Sequence, residues 1–254
     1  MIRFIPLSSG SKQNCFYIET GETSFLIDAG ISFSQLKLFL AGIGRDPSDI
    51  GMILVTHEHS DHTKGLKSIV SKIKVPVFVS PASKRYLSIG ETNIHPLTEG
   101  REFKWADVRI MPFRVPHDAA NTFGFMLRRE NRSVFFASDL GSFDKNILSL
   151  AKEANMIAVE SNYDPMMLEH SVYPKFLRDR IAHSHGHLSN PDALKFIREA
   201  GGFFTEQVCF LHMSENNNRI DLIHDGIENE LAPLYRQAQF HIALREKPIP
   251  AIEI

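Results

Sequence analysis

The sequence predicts an α+β fold with a sheet-rich core covered by helices, and three observations support it. Short apolar runs recur along the chain, each bounded by Gly, Pro, Asp or Asn. Helical periodicities alternate with them, as expected of sheets that need a helical cover. No internal repeat, low-complexity tract or linker interrupts the pattern, so residues 1–254 are expected to form one domain.

In chain order, the strand-like runs fall at 2–7, 15–19, 24–27, 52–55, 75–79, 108–112, 123–127, 133–137, 156–159 and 208–211. Each is too short for a typical helix and is flanked by turn residues. Helical patterns occupy 33–41, 65–72, 81–88, 144–153 and 191–200. The last has a candidate cap in Asn190 and a proline, Pro191, suited to the first turn. Residues 160–190 show few periodic signals. A stretch of that length without regular structure is usually functional when it lies inside a compact domain, and this one carries His183, His185 and His187.

Composition narrows the class. The chain is 43% hydrophobic and 23% charged, as in ordinary globular proteins, and its formal net charge of −2 lacks a strongly basic nucleic-acid footprint. No apolar run approaches the ~18 residues of a membrane span, and the first ten residues carry no basic stretch followed by a hydrophobic block. Cys15 and Cys209 are too few for a disulfide framework and have no Cys-x-x-Cys spacing. The expectation is a cytoplasmic protein with no membrane partner, two buried thiols and a metal site free of thiolates.

That site is signalled by His57-Glu58-His59-Ser60-Asp61-His62, which places four metal-ligand side chains within six residues, directly after a strand and Thr56. A loop at the end of a buried strand is a rigid platform for such ligands. His57 and His59 can converge on one ion. Asp61 and His62 can turn to a second, the carboxylate adding the negative charge that a divalent cation favours. Two ions need more ligands, and His117, Asp139 and His212 each follow a predicted strand in the same way.

The order His57-x-His59-x-Asp61-His62, His117, Asp139, His212 resembles the metallo-β-lactamase superfamily of hydrolases. Further segments resemble its YycJ-like (WalJ-like) branch: Ser9-Gly10-Ser11 with Asn14, Leu26-Ile27-Asp28-Ala29-Gly30, His117-Asp118-Ala119-Ala120, Ser138-Asp139, Glu160-Ser161-Asn162-Tyr163-Asp164, Gly186-His187-Leu188-Ser189-Asn190 and Leu211-His212-Met213-Ser214. The resemblance implies a four-layer αββα sandwich with the site at one edge between the sheets. It implies that His57, His59 and His117 hold one metal ion, Zn²⁺ or Mn²⁺, and that Asp61, His62 and His212 hold another, bridged by Asp139. Asp28 would support the first loop without being a ligand.

Such a cage suits hydrolysis by a hydroxide bridging two metals, because two cations depress the pKa of bound water. Asp61 would contribute to catalysis as well as ligation. By the same resemblance, His187 would protonate the leaving alkoxide of a phosphodiester, steered by Glu160. Only 22 positions separate His117 from Asp139 and 42 residues follow His212, so the inserted arm of tRNA-processing relatives and the appended domains of other relatives are not expected. What remains is a compact nuclease, an exonuclease acting on DNA more than on RNA. Lys64, Lys67, Lys175, Arg178 and Arg180 lie near the motifs as candidate phosphate contacts. The nearest rivals are a phosphodiesterase of cyclic or short nucleotides and, in another class, a non-catalytic binding protein on the same scaffold.

Overall fold

In the computed structural model, which describes residues 1–90, 93–202, 204–245 and 247–254, the strands form two seven-stranded sheets. The first begins with β1 (Arg3–Ser8), β2 (Cys15–Glu19), β3 (Ser24–Ile27), β4 (Ile50–Leu54), β5 (Val77–Val79) and β6 (Ile94–Pro96). The second contains β7 (Phe103–Trp105), β8 (Val108–Arg114), β9 (Phe123–Arg129), β10 (Arg132–Ala137), β11 (Met156–Glu160), β12 (Gln207–Leu211) and β13 (Gln239–Ile242). β14 (Ile252–Glu253) returns to pair with β1, giving the orders β14-β1-β2-β3-β4-β5-β6 and β13-β12-β11-β10-β9-β8-β7. Each sheet is antiparallel on one side and parallel on the other, from β3 to β6 and from β10 to β13.

Strand alternation builds the layers. Phe4, Phe16, Phe25, Ile27, Met52 and Leu54 meet Phe125, Leu127, Val134 and Phe136 in one core between the sheets. Their neighbours Ile5, Tyr17, Leu26, Ile53 and Val55 face outward under α1 (Phe33–Gly42) and, beyond the short α2 (Ser60–Thr63), under α3 (Leu66–Ile73). α4 (Pro81–Lys84) is a single turn. Phe135, Ala137, Ile157 and Val159 lie under α5 (Lys145–Lys152), and, after α6 (Pro165–Glu169) and α7 (Lys175–Ala182), under α8 (Asn190–Ala200) and α9 (Ile220–Gly226). Both faces of each sheet are covered, which is why the strands read as nearly unbroken apolar runs. This is the four-layer αββα sandwich.

Three expectations need correction. The helix predicted at 81–88 stops at Lys84. The N-cap of α8 is Ser189, whose side chain accepts from the Asp192 amide, while Asn190 bonds inward to Ser161 and Asn218. The segment 160–190 is less irregular than predicted, since it holds α6 and α7. No helix among the described residues is long and apolar enough to cross a membrane.

Candidate metal centre

The motif leaves β4 through Val55 and Thr56, and the sequence-predicted residues meet at the end of the sandwich where β3, β4, β10, β11 and β12 finish. Three of the side chains that shape the site sit at a strand end with a left-handed backbone, Asp28 (φ 62°), Asp139 (φ 45°) and His212 (φ 57°). A non-glycine residue there costs of order 1–3 kcal/mol, and such strain persists where the surroundings enforce it. Here the kink turns each side chain out of its strand and into the site.

The backbone then locks the loops together. The Asn14 amide donates to Asp61 O, the Ala29 amide to His62 O and the Gly30 amide to Asn14 O, each at 2.8 Å. Gly30 passes so close that an added Cβ would lie 1.7 Å from Asp61 O.

Hydrogen bonds settle which nitrogen of each histidine is available. His62 Nδ1 donates to Asp28 Oδ2 at 2.7 Å, His212 Nδ1 to Glu160 Oε1 at 2.8 Å, His117 Nδ1 to Gly186 O at 2.9 Å and His57 Nδ1 to Thr56 Oγ1 at 3.0 Å. In all four Nδ1 is engaged, which leaves Nε2 as the nitrogen a metal ion would take. Those nitrogens face carboxylate oxygens: His62 Nε2 is 3.0 Å from Asp139 Oδ2, and His212 Nε2 is 3.4 Å from Asp61 Oδ2 and 3.6 Å from Asp139 Oδ1. His57 Nε2 and Asp139 Oδ2 are buried with no hydrogen-bond partner, although buried polar atoms are rarely left so.

Converging imidazole nitrogens and carboxylate oxygens repel one another unless a cation, a proton or a metal ion, lies among them. Among the described residues three groups have ligand atoms within 4.8 Å of one another, one of His57, His59 and His117, one of Asp61, His62, Asp139 and His212, and one of Asp139, Glu160, His187 and His212. The residues present fit divalent ions. His57 and His117 are pushed below the ordinary histidine range, chiefly by burial, and so stay neutral and able to coordinate. Burial acts the same way on His62 and His212, but the carboxylates around them, Asp139 first, outweigh it and raise both, His212 to about 10. That excess of negative charge is what a cation would neutralise.

Glu160 and His187 are also brought to the site. Glu160 is fully buried and accepts four hydrogen bonds, from His187 Nδ1 and His212 Nδ1 at 2.8 Å, the Leu140 amide at 2.8 Å and the Leu188 amide at 3.0 Å. Burial alone would lower the His187 pKa, but the charge and hydrogen bond of Glu160 outweigh it and hold it above the ordinary value. His187 lines a cleft of about 230 Å³ together with His59, Asp61, Asp118, Asp139, Tyr173, Arg180 and His212.

A profile described as "Beta-lactamase superfamily domain" matches residues 23–213, a span that contains every one of these histidines and carboxylates. The chain belongs to the β-lactamase superfamily. Superfamily relatives place it in the WalJ/YycJ branch: it is 30% identical over 237 residues to "Exodeoxyribonuclease WalJ" of Streptococcus pneumoniae D39, covering 91% of this chain and 88% of the relative. It is also 30% identical to "Exodeoxyribonuclease YycJ" of Bacillus anthracis, covering 91% and 89%. The metallo-β-lactamase fold protein YhfI from Bacillus subtilis shares the superfamily fold, with a TM-score of 0.73, 13% identity and 98% of each chain covered.

Several residues of the site had no role assigned from sequence. Asn14 Nδ2 reaches Asp61 Oδ2 at 3.2 Å and His62 Nε2 at 3.1 Å. Glu58 Oε1 accepts from the Ala120 amide at 2.7 Å and so pins the loop after His117. Asp118 lies 3.3 Å from His117 Nε2 and pairs with Arg180. Short polar residues in loops have no periodicity to reveal what they bond; Asn14 and Asp118 stand in motifs of the branch and Glu58 between two ligand histidines, and their partners lie far off in sequence. His183 and His185 pair with each other on the surface and stay outside the ligand groups. Lys64 bonds back to Lys12 O and stands apart from the cleft lining, as does Lys67.

Proposed function

We propose that the protein is a dinuclear, metal-dependent phosphodiesterase that acts as an exonuclease on DNA. The observation that carries this reading is the set of histidine Nε2 atoms converging with Asp61 and Asp139 beside His187, in a chain that matches relatives named exodeoxyribonucleases over nearly their whole length. His57, His59 and His117 would hold one ion, and Asp61, His62 and His212 a second, with Asp139 shared. When bound, zinc or manganese ions would supply Lewis-acid charge and an activated water.

The rest of the work falls to side chains. Asp28, Thr56 and Glu160 keep the ligand imidazoles in the metal-binding tautomer. His187, with Nδ1 engaged by Glu160, presents Nε2 to the cleft and can give that proton to the leaving sugar oxygen. Arg180 is the cation on the cleft wall for phosphate. Buried free thiols at Cys15 and Cys209 suit the reducing cytoplasm.

A cyclic-nucleotide phosphodiesterase could use the same ligands, and turnover separates the two. End-labelled DNA is expected to be digested with a kcat/KM well above that for 2′,3′- and 3′,5′-cyclic nucleotides. The opposite preference would overturn the assignment, and a chromogenic β-lactam should be inert.

A further inference from the structure

Behind the Glu160 carboxylate lies a buried pair of side-chain amides that neither metal binding nor proton transfer accounts for. Asn190, the first residue of α8, and Asn218, in the loop between β12 and α9, are each 5% exposed. They bond reciprocally: Asn190 Nδ2 donates to Asn218 Oδ1 at 2.8 Å, and Asn218 Nδ2 donates to Asn190 Oδ1 at 2.9 Å. The remaining hydrogen of Asn218 Nδ2 is shared by Ser161 O and Asn162 O, both at 3.0 Å, while Ser161 Oγ donates to Asn190 Oδ1 at 2.7 Å and the Arg219 amide to Asn218 Oδ1 at 2.8 Å. A buried polar network with its partners in place is rigid and fixes one arrangement of the segments it joins.

Those segments carry the acid step. The carbonyls held by Asn218 directly follow Glu160, whose Oε1 accepts from His187 Nδ1 and whose Oε2 accepts from the Leu188 amide. Asn190 begins the helix that His187 precedes, and two backbone bonds run alongside the pair, from the Asn162 amide to Leu188 O at 2.9 Å and from the Asn190 amide to Tyr163 O at 2.8 Å. His212 has anchors of its own, since its amide donates to Ser9 Oγ and its carbonyl accepts from Asn162 Nδ2, both at 2.8 Å. The His187 backbone bonds only to Ile181 O, at 2.9 Å, at the end of a helix with no fully buried side chain. We propose that Asn190 and Asn218 are positioning residues for the acid: without touching metal or substrate, the pair fixes the strand end that carries Glu160 against the loop that carries His187, and so aims His187 Nε2 at the leaving oxygen. This rests on the reading of His187 as the acid.

The test compares end-labelled DNA with the p-nitrophenyl ester of thymidine 5′-monophosphate, whose leaving group needs little help from an acid. Metal-loaded wild type is set beside His187→Ala, Asn190→Ala, Asn218→Ala and the milder Asn218→Ser. Asn190→Ala and Asn218→Ala are expected to lower kcat on DNA roughly ten- to hundredfold, the scale of a misplacement by about 1 Å, with a much smaller loss on the ester and with KM and metal content near those of wild type. Asn218→Ser should show the same imbalance in lesser degree. Circular dichroism reports which variants are folded, and Asn218→Ser decides if alanine unfolds the chain. A DNA-to-ester ratio that stays at the wild-type value in the folded asparagine variants while His187→Ala lowers it, or a loss of metal from those variants, overturns the pair's role. A ratio that His187→Ala itself leaves unmoved overturns the acid reading and the pair's role with it.

Discussion

His187 and Glu160 make a claim that leaving groups can test. A general acid matters in proportion to the basicity of the oxygen it protonates, and a deoxyribose alkoxide is far more basic than p-nitrophenolate. His187→Ala is expected to cost ~10²–10⁴-fold in kcat on DNA and much less on a p-nitrophenyl diester, with metal content unchanged. Equal losses on both substrates would remove His187 from the acid's role. At this scale the candidate site was largely legible: His57 to His62 formed a dense local motif, and His117, Asp139 and His212 shared a strand-end position that made them stand out. The roles of Asn14, Glu58 and Asp118 were not legible, because their bonds to the site's other loops reach across 47, 62 and 62 residues.

Among the elements, the loops are what convert a sandwich into a site. The turn after β3 lies directly against the ligand loop after β4, and Gly30 is where the two backbones touch. A methyl group cannot fit there, so one loop must shift. Gly30→Ala is expected to destabilise the fold by about 1–3 kcal/mol and to lower metal occupancy at Asp61 and His62, read by thermal unfolding and metal analysis. Full occupancy and unchanged stability would mean that the contact does not set the ligand geometry. The long apolar strands were legible because burial on both faces leaves a continuous signal. The short β6, β7, β13 and β14, of two to four residues, left too little pattern to read. α7 escaped notice for a physical reason, since an eight-residue helix with no fully buried side chain leaves a weak apolar period.

At the scale of the whole molecule, three apolar layers hold the strand ends in register: the core between the sheets and the two beneath the helices. The phenylalanine cluster shows how the sheets are pinned, with Phe16 packing edge-on against Phe136 of the opposite sheet at 4.9 Å between ring centroids. Ligands from one sheet, His57 to His62, can thus face Asp139 and His212 from the other without any covalent or cofactor tie. The acceptor-rich centre they enclose makes activity depend on cations, and that dependence is open to direct measurement. End-labelled single- and double-stranded DNA should be shortened stepwise from its ends by protein whose manganese or zinc content has been measured, and EDTA should stop the reaction until metal is restored. Protein carrying its full complement of metal that leaves every DNA intact would contradict the account.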